Sequence, residues 1–158
     1  MLNGDLHVID DHANGSLSTA AQLSARSFVY DGAPIGDVGI EAVYLPKAGG
    51  EHYANAYISA GNAEVMQCEG TYYNADGHFS GTAHLTDCPL KLINGFMAGS
   101  DIALDGRAGG QLAINGTVDA PAVTGTLNLD SARLYSQVYG FSFDMDERPV
   151  EIKDSRLI

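Results

Sequence analysis

Apolar residues recur at every second position along most of the chain, which is the pattern of strands with one buried face. Gly61-Asn62 and the segment 74–77 each follow one of these runs, with residues that tight turns favour. In the N-terminal half, the alternation predicts strands over 16–25, 38–44, Tyr53–Ala60, Ala63–Tyr73 and His78–Leu85. A series of antiparallel hairpins is therefore expected in this half.

The C-terminal half continues the alternation in shorter segments, which Gly, Pro, Asn and Asp separate. The pair Gly109-Gly110 is predicted to form a turn between strands, and further short strands are predicted at 141–145 and 150–152. Such a series is typical of an antiparallel meander, barrel, sandwich or curled sheet. The apolar positions expected to line the inner face are Ile102, Leu104, Leu112, Ile114, Val123, Leu127, Leu129 and Leu134.

A segment near residues 89–97 departs from the alternation, because its apolar residues follow a helical spacing. This spacing predicts one short helical turn, with Pro89 near its first position. The alternative is an exposed loop that inserts into a membrane. For a helical turn we expect burial against the edge or end of a sheet of Leu90, Ile93, Phe96 and Met97.

The charge of the chain limits the classes of partner that it can bind, because it has only 8 Lys and Arg residues and 20 Asp and Glu residues. A net charge of -12 argues against nucleic acid, and against electrostatic docking on anionic lipid. We attribute the excess of acidic residues to solubility, because a large net charge keeps a protein in solution. No secretory signal begins the chain, and no apolar run approaches the ~20 residues that span a bilayer. We expect residues 1–158 to form a single β-domain that is a piece of a larger protein.

Residues that carry chemistry are scattered. The chain has no Gly-x-Ser-x-Gly nucleophile motif, no phosphate-binding loop and no His-Glu-x-x-His motif. His78 and His84 would share a strand face, but solvated strand histidines explain them better than a metal pair does. Cys68 and Cys88 lack metal-site spacing; a disulfide stays open, and unpaired thiols are favoured. We therefore predict no catalytic residue, no metal site, no cofactor and no enzymatic activity.

The stretch 109–129, GGQLAINGTVDAPAVTGTLNL, resembles the C-terminal domain of the TamB family. These are translocation and assembly module proteins, related to AsmA-like intermembrane proteins. The shared pattern is a strand that ends in Gly-Thr, a short turn with Pro, and a strand that opens with Gly and alternating leucines. The flanking segments PLKLINGFM, IALDGRAGG and LYSQVYGFSFDMDERPVEIKDSRLI are also similar to the family. The resemblance is good over Gly70 to Ile158 and loose over Gly4 to Glu69.

The resemblance implies an elongated antiparallel sheet that is curled like a taco around an apolar groove. It implies a periplasmic location, with an inner-membrane anchor in segments outside this chain. The cargo would be phospholipid or a nascent outer-membrane β-barrel protein, and a TamA-like outer-membrane barrel would be the partner. On this hypothesis the alternating residues named above line the groove and shield lipid acyl chains. The alternative is that they fill a closed core.

A second hypothesis belongs to another class, namely a structural or adhesive β-module of a cell-surface protein. It predicts a closed sandwich or solenoid without a ligand, although the irregular strand spacing counts against a solenoid. A glycan-binding sandwich would use exposed tyrosines, because the chain contains no Trp. Bound lipid or its absence discriminates the groove from these closed modules.

Overall fold

The computed structural model describes residues 2–11, 16–30, 33–47, 49–94, 101–117, 119–145 and 148–157. The chain is nearly all β, as predicted, and forms a single antiparallel sheet that does not close on itself. Strands that follow one another along the chain are neighbours in the sheet almost throughout, as expected from hairpins.

The strands of the first half are β1 (Leu2–Asp11), β2 (Ser16–Tyr30), β3 (Ala33–Lys47), β4 (Glu51–Ala60), β5 (Ala63–Tyr73) and β6 (His78–Pro89). Helix α1 (Lys91–Asn94) follows β6. The second half contains β7 (Ala103–Thr117), β8 (Ala120–Ser136), β9 (Phe141–Asp144), β10 (Val150–Lys153) and β11 (Arg156–Leu157). The order of strands in the sheet is β1-β2-β3-β4-β5-β6-β7-β8-β10-β11, and β9 pairs with β8 beside this path. The predicted bounds of β5 are correct at both ends.

One predicted turn is wrong. Gly109 and Gly110 lie inside β7, which runs unbroken for 15 residues. A Cβ on Gly110 would lie 2.2 Å from the carbonyl oxygen of Thr126, and Gly110 has a φ of 148°. Glycine is therefore needed here for the close approach of β7 to β8, and not for a reversal of the chain. Gly125 has the same role on β8, where a Cβ would lie 2.1 Å from the Gln111 oxygen.

The register of the strands places apolar side chains on one face of the sheet. Residues that are paired directly across neighbouring strands point to the same side. One such row crosses the sheet through Leu112, Ala83, Cys68, Ala56, Ala42, Ala21 and Leu6. The adjacent row on the opposite face runs through Gln111, His84, Gln67, Tyr57, Glu41, Gln22 and Asp5. One face is thus apolar and the other polar.

Two core clusters lie on the apolar face. The first core cluster comprises Val65, Ala83, Leu85 and Cys88. The second core cluster comprises Leu90, Ala108, Leu129 and Ala132. Leu92 of α1 packs against the first cluster, and Leu90, just before α1, belongs to the second. The helical turn was predicted to bury Leu90, and this is confirmed; the side chains of Ile93, Phe96 and Met97 lie outside the described residues.

The position of α1 shows that the sheet is curled. Cα atoms of α1 lie within 8 Å of Cα atoms in both β7 and β3. Strands β4, β5 and β6 lie between β3 and β7 in the sheet, yet they approach α1 at fewer positions than either of those two strands does. A helix that reached both strands across a flat sheet would lie over the strands between them, so the sheet bends toward α1. The apolar face is the concave one, because Leu92 of α1 packs against the first core cluster.

Candidate functional site

The concave face contains an open cavity of about 460 Å³ between β3 and β7. Its position follows from the register. The aromatic edge of the cavity is formed by a row of paired residues, Phe79, Tyr72 and His52. The next row on this face runs through Ile114, Gly81, Gly70, Ala54 and Tyr44. Cys68 and Ala83 form the side nearest the first core cluster.

The space exists because Gly70 and Gly81 stand opposite each other and carry no side chains. Their backbones are also close, since a Cβ on Gly81 would lie 2.7 Å from the carbonyl oxygen of Glu69. Ile114 and Tyr44 stand on the two sides of this gap, and Ala54 lies between Gly70 and Tyr44. The volume lies within the ~300–1,000 Å³ typical of small-molecule sites.

His52 brings a polar group to this apolar cavity. Its Nδ1 is 2.5 Å from the hydroxyl oxygen of Tyr44, and the two rings are stacked with centroids 5.8 Å apart. The Tyr72 ring lies against the same imidazole, at a centroid distance of 6.2 Å. The other ring nitrogen, Nε2, is shielded from solvent and has no hydrogen-bond partner among the described residues. Such an unpaired buried group costs ~1–3 kcal/mol.

Cys68 and Cys88 are free thiols, so the disulfide left open by the sequence is not formed. Cys68 lines the cavity, whereas Cys88 is only 1% exposed in the first core cluster. Burial raises the pKa of both thiols, because it disfavours the charged thiolate, and Arg107 partly opposes this for Cys88. Because Cys68 lines the cavity, the reactivity of its thiol should change when the cavity is occupied.

The predicted groove residues divide into an open part and a closed part. Ile114 lines the cavity, and Val123 is paired with it on β8. Leu112 and Leu127 pack against the first core cluster, and Leu104 packs against the second. Leu129 is 9% exposed inside the second cluster, to which Leu90 also belongs. Next to α1, the predicted residues thus fill a closed core. Around Ile114, the groove is open.

The two remaining predicted residues are in neither core cluster and do not line the cavity. Leu134 is half-buried and is paired with Leu104 near the end of β8. Ile102 precedes β7 and is 37% exposed.

The sequence prediction missed the cavity residues of β3 to β6. Tyr44, His52, Cys68, Tyr72 and Phe79 lie far apart along the chain, and only the register of four strands brings them together. One signal was available, because Gly70 and Gly81 are glycines in the middle of predicted strands. Such glycines mark close backbone approach or missing side-chain volume.

The apolar face continues uncovered beyond the cavity as a strip across β1 to β3. Register pairs join Leu6 to Ala21 and Leu23 to Ile40 across these strands. In order along the chain, the exposed fractions are 67% for Leu6, 56% for Val8, 44% for Leu23 and 37% for Ile40. Exposed apolar strips of this kind are typical of interaction surfaces.

On the convex face, polar side chains of neighbouring strands form hydrogen bonds with one another. Gln22 Nε2 donates to Glu41 Oε1 at 2.7 Å, and Gln67 Nε2 donates to the Tyr57 hydroxyl at 3.2 Å. Hydrogen-bonded Gln, Glu and Tyr side chains keep this surface hydrated. The convex face is therefore polar, whereas the apolar cavity lies on the concave face.

Ion pairs lie at two places in the sheet, one at a bulge and one between regularly paired strands. Arg107 Nε pairs with Asp87, which sits at a bulge in β6 with a φ of 48°, and Arg107 Nη2 donates to the Asp87 carbonyl oxygen at 2.8 Å. Arg133 Nε pairs with Asp144 Oδ1 at 2.8 Å between β8 and β9. These carboxylates raise the pKa of both guanidinium groups.

Within the described ranges, no three His, Cys, Asp or Glu residues are close enough to hold a metal ion. No helix in that part of the chain has the length and hydropathy needed to cross a bilayer. No family model matches the sequence, and no curated protein or solved structure is significantly similar to it.

Proposed function

We propose that this chain is a non-catalytic, lipid-carrying segment of a TamB-like envelope protein, and that its concave face shields phospholipid acyl chains. The observation that carries the proposal is the open apolar cavity around Ile114, on a face whose apolar surface continues past Tyr44 to Leu6. Such a continuous lining suits an acyl chain, which has no polar group along its length.

The energetics favour such a ligand. Each methylene that leaves water contributes about 0.8 kcal/mol. The backbone groups below the cavity are paired in the strand ladders of β4 to β7, so the lining exposes few unpaired polar groups to the chain. A closed structural module would instead fill this space with side chains, and Gly70 and Gly81 leave it empty.

The resemblance to TamB supplies the cellular setting of the proposal. The chain would lie in the periplasm, anchored in the inner membrane by segments outside it, and would act with a TamA-like outer-membrane barrel. A nascent outer-membrane protein strand is a second candidate cargo. It is favoured by the exposed apolar strip beside edge strand β1, because an extended chain can pair with an open sheet edge.

The test is native mass spectrometry of the chain purified from bacteria without detergent. We expect co-purifying phospholipid, which is lost in Ile114→Asp because a bound acyl chain would cover the charge and remove its water. Gln111→Asp is the matched control, since it adds the same charge to the same strand on the polar face. Circular dichroism checks that both variants fold.

A lipid-free wild-type chain that also fails to bind added phospholipid vesicles contradicts the proposal and favours the closed structural module. Retention of lipid by a folded Ile114→Asp variant places the lipid elsewhere and contradicts the proposed groove.

A further inference from the structure

We infer that two copies of this chain associate through the free edges of their β1 strands, antiparallel and with Leu6 of one copy opposite Leu6 of the other. The two sheets then form one continuous sheet about a twofold axis perpendicular to it. This inference goes beyond the proposed function, because it assigns the open sheet edge to a second copy of the chain and requires no lipid.

The edge of β1 is free to accept another strand. Among the described strands, β1 has a neighbour on one side only, namely β2. Residues 3–8 of β1 are all exposed, and the strand contains neither Lys nor Pro, which commonly protect a sheet edge. The backbone N–H and C=O groups on this edge can therefore pair with those of an added strand.

The two faces of β1 restrict how a second β1 can align with it. Leu6 and Val8 lie on the apolar face, whereas Asp5 and His7 lie on the polar face. A shift of one residue would place apolar side chains opposite polar ones and bring each apolar face to the wrong side. The alignments that match face to face therefore differ from one another by steps of two residues.

Charge complementarity selects one of these alignments. With Leu6 opposite Leu6, Asp5 of each copy is opposite His7 of the other, so that the pair occurs twice. An imidazole N–H can donate to a carboxylate across the strands. A shift of two residues in one direction places Asp5 opposite Asp5, and in the other direction it places His7 opposite His7. Both shifts lose the two pairs, and like charges directly opposite each other are destabilising.

The apolar face fits the same alignment. Gly4 of each copy is then opposite Val8 of the other. The side chain of Leu23 extends over Gly4, since a Cβ on Gly4 would lie 2.5 Å from Leu23 Cδ2. Directly opposite residues have Cβ positions only about 5 Å apart. Val8 of the second copy can therefore pack against Leu23 in the space that the missing side chain of Gly4 leaves.

The symmetry of this dimer determines what happens to the apolar strip across β1 to β3. A twofold axis perpendicular to the sheet keeps both apolar faces on the same side. The strips of the two copies, each including Leu6, Leu23 and Ile40, are therefore joined into one. The interface is a single pair of strands, so we expect weak, concentration-dependent association.

The first experiment reverses the charges and measures dimerisation by sedimentation velocity. Asp5→Lys places a Lys opposite His7, and His7→Asp places a carboxylate opposite Asp5. Each variant alone should dimerise about tenfold more weakly than the wild type. Mixed in equal amounts, the two variants should associate again, because the introduced Lys then faces the introduced Asp. Glu64→Lys makes the same charge change on an exposed residue of β5 and should dimerise as the wild type does.

The second experiment reads the register from disulfide formation with oxidised glutathione, followed by non-reducing electrophoresis. Leu6→Cys places two thiols directly opposite each other, within the Cα separation that a disulfide allows, so a covalent dimer should form. Val8→Cys adds a thiol to the same face, but its two copies lie about 13 Å apart along the strands, and it should not cross-link. The wild type, with Cys68 and Cys88 as free thiols, measures the background.

A wild-type chain that stays monomeric at all concentrations overturns the dimer, and lipid bound to that monomer would leave the proposed function standing. Cross-linking of Val8→Cys in place of Leu6→Cys overturns the register. A mixture of Asp5→Lys and His7→Asp that associates no better than either variant alone overturns the pairing of these two residues. All of the changed residues are exposed, and circular dichroism checks that each variant folds.

Discussion

The backbone amide of Leu90 donates to the carbonyl oxygen of Gly106 over 2.9 Å, and so fastens the start of the helical turn to strand β7. The Leu90 side chain, 3% exposed, packs in the second core cluster beside Leu129. This contact closes one end of the groove.

Replacing Leu90 by Ala should lower the free energy of unfolding by about 2–5 kcal/mol, because it opens a cavity in a packed cluster. Urea denaturation measures this change. The control is Leu45→Ala, since Leu45 is 36% exposed and its loss should cost far less. Equal effects of the two substitutions would show that α1 does not close the groove.

A Gly81→Ala variant should be less stable by about 1–3 kcal/mol, the range for overpacking. Its added methyl group would meet the Glu69 carbonyl oxygen and the Gly70 Cα, both of which are backbone atoms that cannot rotate away. In Gly109→Ala, the nearest atom lies at an ordinary 3.6 Å, so this control should be neutral or slightly stabilising. Thermal unfolding of both variants checks the prediction, and a neutral Gly81→Ala would argue against close strand approach.

The raised pKa of the Cys88 thiol makes stability depend on alkaline pH. Above the ordinary value of 9.0, the unfolded chain loses this proton while the folded chain retains it. Stability therefore falls as pH rises from that value toward the raised pKa. Cys88→Ala should show a shallower fall in urea unfolding above pH 9.0 than the wild type does. Parallel curves for the two proteins would contradict the burial of this thiol.

Strand β1 lies at the edge of the sheet, with Leu6 67% and Val8 56% exposed. Open edges of this kind pair with other strands, and Lys side chains suppress the pairing. We expect the chain to self-associate with rising concentration in sedimentation velocity, and Leu6→Lys to shift it to the monomer. The matched control, His7→Lys, adds the same charge on the polar side of β1 and should self-associate more than Leu6→Lys does. A wild-type monomer at all concentrations would contradict this expectation.

The local pattern of apolar and polar residues was sufficient to predict the class of fold and several of the strands. The alternation over Ala63–Tyr73 predicts β5 with both bounds, and Gly61-Asn62 and the 74–77 segment form the turns that their residues favour. These features depend on neighbours in the chain, because side-chain period and turn geometry are local properties. Pattern was insufficient at Gly109-Gly110, since a glycine pair suits both a turn and a close strand pairing.

The division of the groove was decided only by the tertiary structure. Ile114 and Leu129 carry the same apolar signal in the sequence, yet Ile114 lines an open cavity and Leu129 is buried in the second core cluster with Leu90. The difference arises from the curl that brings β3 and β7 to α1, and from the register that aligns His52, Tyr72 and Phe79. Both arrangements join residues that are far apart in the chain. The alternation predicts which side chains share a face, but the bending of the sheet decides which other residues pack against that face.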